Sequence, residues 1–211
     1  MRYDDNHKER TRARVLAEAA AAIRSKGVER VGVAEVMAGA GLTHGGFYAH
    51  FKSKDDLVAQ AVTHMFDASH AWFVSHTEGR EPAEALSNFV DAYFAKPHCV
   101  DRAHGCPMAA LSGDLPNMPD LARARFTDGT ERFVAGVAKL LKKLGTRNAE
   151  AAAWSVVVEM AGALALARAV SDPHRSSQIL RNSRAMVRTR VGLDRSTPSP
   201  KRLDHRARHP V

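Results

Sequence analysis

The chain has 211 residues, 45% of them apolar, and a formal net charge of +8. That is enough apolar material for one large domain or two small ones sharing a core, and the charge favours a polyanionic partner, of which DNA is the commonest. Two cysteines, Cys99 and Cys106, exclude a disulfide framework and suit a reducing compartment. The N-terminus, MRYDDNHKERTRAR, is too polar for a signal peptide, and no apolar run approaches the ~20 residues of a membrane span, so a cytoplasmic protein without membrane association is expected.

Helix signals dominate, with no convincing strand alternation and no internal repeat. The first helix is predicted from about His7 to Ser25, with Val15, Leu16, Ala19, Ala22 and Ile23 on one face and Lys26-Gly27 at its end. Residues 1–7 are expected to form a flexible arm. A short second helix covers Val33–Ala38, and Gly39–Leu42 is a turn. A third short helix follows Thr43, a suitable N-cap, with Phe47, Tyr48 and Phe51 inward.

Ser53 opens a long fourth helix that runs to about Thr77, and Ser53 and Asp56 have capping-box spacing. Pro82 fits the first turn of a fifth helix, which Pro97 stops. His98–Gly105 reads as a loop. A sixth helix starts at Pro107 and ends before Pro116, and a seventh runs from about Pro119 to Leu144. An Ala- and Gly-rich eighth covers about Asn148–Val170, and Asp172-Pro173 starts a ninth that ends near Val191. The basic, Pro/Ser-rich remainder, Gly192–Val211, is expected to be disordered. The fold class is therefore all-α, with about nine helices.

Two short helices joined by a Gly-containing turn make a helix-turn-helix at Val33–Phe51. The N-terminal residues of its second helix would face bases in a major groove. Those residues are Thr43, His44, Gly45 and Gly46. Each glycine disfavours a helix interior by roughly 1 kcal/mol, which makes sense where backbone must approach DNA closely.

The run AGLTHGGFYAHFKSKDDL at Ala40–Leu57 carries the pattern G-x-x-x-G-x-F/L-Y-x-x-F-x-S-K, and with its distance from the N-terminus it resembles the TetR/AcrR family of transcriptional regulators. The resemblance implies a DNA-binding domain at residues 1–52 and an effector-binding and dimerisation domain at 53–191. It implies a repressor that binds a palindromic operator as a dimer and is released by a small molecule. It places Thr43, His44, Gly45, Gly46 and Tyr48 against bases and nearby phosphates, with His50 and Lys54 as phosphate contacts. Arg10 and Arg14 are further candidates from the basic N-terminus. Two positions depart from the commoner pattern: Gly32, where Ser or Thr often caps the second helix, and His44, where Lys or Arg is frequent.

The homodimer is expected through the eighth and ninth helices, whose alanines and Gly162 allow close approach. Pocket candidates are the large inward residues Phe66, Phe89, Tyr93, Met108, Leu111, Phe126, Phe133, Trp154 and Met160, a set that suits an apolar or aromatic effector. Gly105-Cys106-Pro107 puts a thiol at a helix start, where thiols gain reactivity. GCPMAALSGDL resembles a subset of the family with a Gly-Cys pair at this junction, some of whose members sense electrophiles or oxidants. Redox sensing through Cys106 is thus the alternative switch. A metal site of His98, Cys99, His104 and Cys106 matches no common zinc spacing, and a cysteine enzyme using Cys106 with His104 lacks a positioned base and an oxyanion hole. Neither a cofactor nor an enzymatic activity is expected.

Overall fold

The computed structural model describes residues 2–194, with side chains from His7 onward. Among these residues there are nine α-helices, two short 3-10 segments and no strand. The helices are α1 (Arg2–Lys26), α2 (Val33–Gly39), α3 (Lys54–Thr77), α4 (Pro82–Tyr93), α5 (Lys96–Val100), α6 (Pro107–Leu111), α7 (Asp120–Lys143), α8 (Ala149–Ala169) and α9 (Pro173–Arg190). All but the first three residues of the predicted disordered tail lie outside the described residues.

The N-terminal unit is α1, α2 and the 3-10 segment His44–Ala49. Val15, Ala19, Ile23, Val36, Met37, Phe47 and Phe51 form its core. The helix begins at Arg2, so the predicted arm is helical; nothing between Arg2 and His7 is Gly or Pro, and nothing there breaks a helix. The predicted third helix winds as a 3-10 segment instead of an α-helix. Adjacent Gly45 and Gly46 weaken α-helical propensity there, and short tight turns are the usual 3-10 context. Gly41 makes the preceding turn at φ +72°, which side chains rarely adopt.

Helix α3 starts as its sequence predicts. Ser53 Oγ accepts from the Asp56 amide at 3.1 Å, and Asp56 Oδ2 accepts from the Lys52 amide at 2.9 Å. This is a capping box displaced by one residue on its return arm. Helix α3 then packs most extensively against α7, and α8 against α9 and α7.

The predicted loop after Pro97 holds α5 instead. The preceding helix ends at Tyr93, and Pro97 sits in the first turn of α5, where its missing N–H does no harm. The predicted sixth helix is shorter than expected: α6 stops at Leu111, and Leu115–Asn117 forms a separate 3-10 turn around Pro116. Asp172 caps α9 through the His174 amide at 2.8 Å. Asp91 on α4 binds Arg184 and Arg188 on α9 at 2.8 and 3.0 Å, fixing α9 to the body.

One helix bears on the expectation that nothing here spans a membrane, and it is a marginal case. By length and composition alone α8 is apolar enough to cross a membrane. Its alanines are individually mild, which hid their sum. The helix also carries Glu150, Glu159 and Arg168, and Arg190 on α9 pairs with Glu159 at 2.6 Å.

Candidate DNA interface and effector cavity

The 3-10 segment presents an exposed edge. Thr43, His44, Gly45 and Tyr48 are exposed, with Tyr48 73% accessible, while Gly46 is half-buried. The inward placement expected for Tyr48 is therefore wrong. The short pitch turns its ring out, and Phe47 and Phe51 alone fill the core, stacked at 5.6 Å. Lys54 is exposed at the first turn of α3, where free backbone amides also favour an anion. Thr43 holds the N-cap position but makes no side-chain cap bond, which leaves its hydroxyl for another partner. Gly32 caps α2 with backbone alone, as its lack of a side chain requires.

Arg10 and Arg14 are exposed on α1. Arg12 is committed elsewhere: its guanidinium lies 5.3 Å from the Phe51 ring centre and donates to Gln60. It ties α1 to α3. His50 is half-buried, and its Nδ1 is closed off from solvent without a partner. Burial first, then the charges of Lys8 and Arg12, hold its pKa below 6.5. It is a neutral ring in the seam between these elements.

The nine pocket candidates separate into three groups. Phe66, Phe89, Leu111 and Met160 are sealed core and line no described cavity, because their neighbours on α3, α4, α7 and α8 close over them. Phe126 and Trp154 line an outer groove of about 350 Å³ between α7 and α8, with Met108 at its inner end. Trp154 thus faces outward, not inward. Tyr93, Met108 and Phe133 line an inner cavity of about 240 Å³, completed by Ala68, Ser69, Trp72, His98, His104, Gly105 and Cys106. Ala68 and His104, the exposed members, mark its mouth.

The inner cavity is built mainly from rings. Trp72 stacks on His98 at 5.2 Å with a 19° interplanar angle, and His98 meets Tyr93 edge-to-face at 4.7 Å. His98 Nδ1 lies 2.7 Å from the Tyr93 carbonyl. A carbonyl only accepts, so Nδ1 carries the proton and Nε2 a lone pair. Burial lowers the His98 pKa, outweighing the opposing bond to Tyr93, and Arg168 lowers it further. The ring is neutral at pH 7. The Tyr93 hydroxyl is buried without a conventional hydrogen-bond partner. Burial, then the adjacent Cys106 thiol, push its pKa well above 10, so it stays a proton donor.

Cys106 is buried at the N-cap of α6. Gly105 brings it there: a Cβ at Gly105 would collide with Arg168 and lie 2.8 Å from the Asp101 carbonyl. Cys99 is also a free thiol but lines a different groove, facing α9. Among the described residues no three His, Cys, Asp or Glu side chains gather as a metal site would need.

Sequence reasoning missed two arginines that hold this loop. Arg168 donates to the carbonyls of Cys99, His98 and Asp101 at 3.0, 2.9 and 3.3 Å. Arg24, near the end of α1, is 6% exposed and donates to Ala103 O at 2.9 Å and Met65 O at 3.3 Å. It joins the N-terminal unit directly to the segment that carries His104 and Cys106. Only its position on the buried face beside Ile23 could have signalled this: a charge there needs partners.

Apolar side chains remain uncovered on α8 and α9. Val158 is 63%, Leu166 60% and Met186 57% exposed, and Trp154 38%. Isolated exposed apolar residues are ordinary, but Trp154, Val158 and Leu166 recur at multiples of four along one face of α8.

Residues 15–61 match the family described as bacterial regulatory proteins, tetR family. No curated protein matches the chain in sequence. Among solved structures, a TetR transcriptional regulator from Chloroflexus aurantiacus is 22% identical, with a TM-score of 0.76 over 89% of this chain and 96% of its own. A TetR-family regulator from Cytophaga hutchinsonii is 16% identical, with a TM-score of 0.74 over 87% and 96%. The reduced form of E. coli NemR is 18% identical, with a TM-score of 0.73 over 85% and 95%.

Proposed function

We propose that the protein is a cytoplasmic repressor of the TetR kind that binds a palindromic operator as a homodimer and is released by a small apolar or aromatic effector; the match of residues 15–61 to the tetR family and the fold shared with solved TetR regulators support this reading. The observation that carries the reading is the exposed edge Thr43–Gly45 with Tyr48, set on a buried Phe47–Phe51 pair and flanked by Lys54. Side chains and bare backbone there can reach a major groove, while Lys54, Arg10 and Arg14 supply positive charge for phosphates. His50 contributes through Nε2 if at all, since Nδ1 is enclosed. The exposed apolar row on α8 and α9 is the dimer interface, and it explains why so apolar a helix as α8 is left partly uncovered.

The inner cavity is the effector site. Arg24 is the route by which it reaches the reading head. A ligand that displaces the Ala103–Cys106 segment pulls on the guanidinium, and so on α1. In a dimer whose half-sites lie about one or more helical turns apart, ~34–36 Å per turn, small shifts of the two heads break the match. The ligand must bind the released state more tightly than the DNA-bound one.

A second reading has support of its own. Cys106 lines the cavity, lies against the Tyr93 hydroxyl and sits within the field of Arg24. An electrophile that enters the cavity meets the thiol, and a covalent adduct would act as the ligand does. The relative described in its reduced form, NemR, adds to this reading. Cys106→Ser separates the two: it abolishes release by an electrophile under the second reading and leaves it intact under the first. The primary test is fluorescence anisotropy of the protein on DNA from its own promoter against random-sequence DNA, in which specific, salt-sensitive binding is expected.

A further inference from the structure

The cavity's polar groups define a ligand class, a step that rests on reading it as the effector site. Its size comes first. About 240 Å³ exceeds the ~150 Å³ that suffices for benzene and falls below the ~300 Å³ lower bound of ordinary drug-sized pockets, so it fits one substituted ring. Its walls come second. Trp72 and Phe133 offer apolar aromatic surface, and no carboxylate lines the space.

Hydrogen bonding comes third. The Tyr93 hydroxyl is buried, and its one polar neighbour is the Cys106 thiol, a weak acceptor that leaves the donor poorly satisfied. His98 spends Nδ1 on the Tyr93 carbonyl and keeps a lone pair on Nε2. The two rings touch at 4.7 Å, so donor and acceptor share one wall. A group that both accepts and donates through a single atom satisfies both, and a hydroxyl is the smallest such group. Charge comes last. Neither Arg24 nor Arg168 lines the cavity, and the donors that they use go to backbone carbonyls, so no arginine is placed to pair a carboxylate there. Their field also disfavours a cationic ligand.

We infer that the cavity takes a neutral single-ring phenol, its ring against Trp72 and Phe133 and its hydroxyl accepting from Tyr93 and donating to His98 Nε2. Ser69 and Cys106 also line the cavity and set room for ring substituents. A plain hydrocarbon of the same shape leaves Tyr93 with only the weak thiol acceptor, and so binds less tightly.

The experiment uses the full chain carrying Trp154→Phe, which leaves Trp72 as the only tryptophan. Phenol, toluene, benzoate and benzylammonium are titrated while Trp72 fluorescence is read. Saturable quenching by phenol is expected, with affinity about tenfold above toluene, one neutral hydrogen bond's worth, and above both charged rings. Tyr93→Phe should remove that preference by weakening phenol and leaving toluene unchanged. The inference is overturned if toluene matches phenol, if either charged ring binds more tightly, if Tyr93→Phe leaves the preference intact, or if none of the four binds. The ligand series needs no cavity variant, so a misfolded Tyr93→Phe would not rescue the idea. DNA release is scored separately by anisotropy. Phenol that binds selectively without changing DNA affinity supports the ligand class and overturns the effector reading.

Discussion

Arg24→Met is the sharpest test of the proposed coupling between the cavity and the N-terminal unit. The substitution keeps the length and apolar body of the side chain and deletes its bonds to Ala103 O at 2.9 Å and Met65 O at 3.3 Å. Hydrogen bonds from a charged donor contribute roughly 1.5–3 kcal/mol each, the longer one at the low end. Against this stands desolvation. Burial is the largest influence on Arg24 and takes its pKa from 12.5 to about 10, which corresponds to roughly 3 kcal/mol against the charged form. The two contributions are of similar size, so the net loss of stability should stay below about 3 kcal/mol, or roughly 10 °C in Tm at this chain length. Coupling, in contrast, should collapse. With whichever small molecule raises the Tm of the unaltered protein, anisotropy should register a 5- to 150-fold weakening of DNA affinity, the usual range. Arg24→Met should still bind that molecule and bind DNA, yet show less than about threefold coupling. Full coupling in a folded, ligand-binding Arg24→Met protein would refute the route through Arg24.

Other outcomes follow from particular contacts. Asp91 is raised by burial, but its bonds to Arg184 and Arg188 prevail and hold its carboxyl below 3.8. A depressed carboxylate contributes stability that is complete above its unfolded pKa and is lost as pH falls through the folded one. Asp91→Asn should therefore lower Tm by about 2–4 °C at pH 7, a partly exposed pair being worth about 1 kcal/mol, and the gap should close below about pH 4; a gap constant with pH would contradict the ion-pair account. Gly129→Ala forces a methyl into the Phe66 ring and should cost about 1–3 kcal/mol by chemical denaturation. An unchanged midpoint would mean that α3 and α7 give way freely. Val158→Glu buries a charge if α8 is the dimer face, and light scattering should report monomers; an intact dimer would move the interface elsewhere.

The helical architecture was legible in sequence where periodicity and caps agreed. Ser53 and Asp172 both cap as their spacing predicts, with the Asp56 amide and the His174 amide as donors. Legibility failed where two local rules competed. Gly45-Gly46 sits on a helical pattern that the glycines cannot hold as α-helix, so the segment tightened and Tyr48 turned outward. Pro97 reads equally as a stop and as a first-turn residue, and the structure uses the second. The pocket was half legible. Tyr93, Met108 and Phe133 were recognisable as large and inward, but nothing in a helical pattern separates a ring that lines a cavity from one that fills a core, as Phe89 does. Long-range arginine bonds such as Arg24 to Ala103 leave no local trace at all, since their partners are backbone atoms of any residue type.

The central claim is sequence-specific DNA reading by the edge around Tyr48. Its most direct test is a salt-dependent anisotropy titration of the unaltered protein, Tyr48→Ala and Lys54→Ala on own-promoter DNA, with random DNA as competitor. Tyr48 is 73% exposed, so its loss should leave Tm unchanged. The account predicts that Tyr48→Ala erodes the preference for promoter DNA, and that Lys54→Ala weakens both DNAs alike and lowers the salt slope by about one. Equal affinity of the unaltered protein for promoter and random DNA, or no change in either variant, would contradict it.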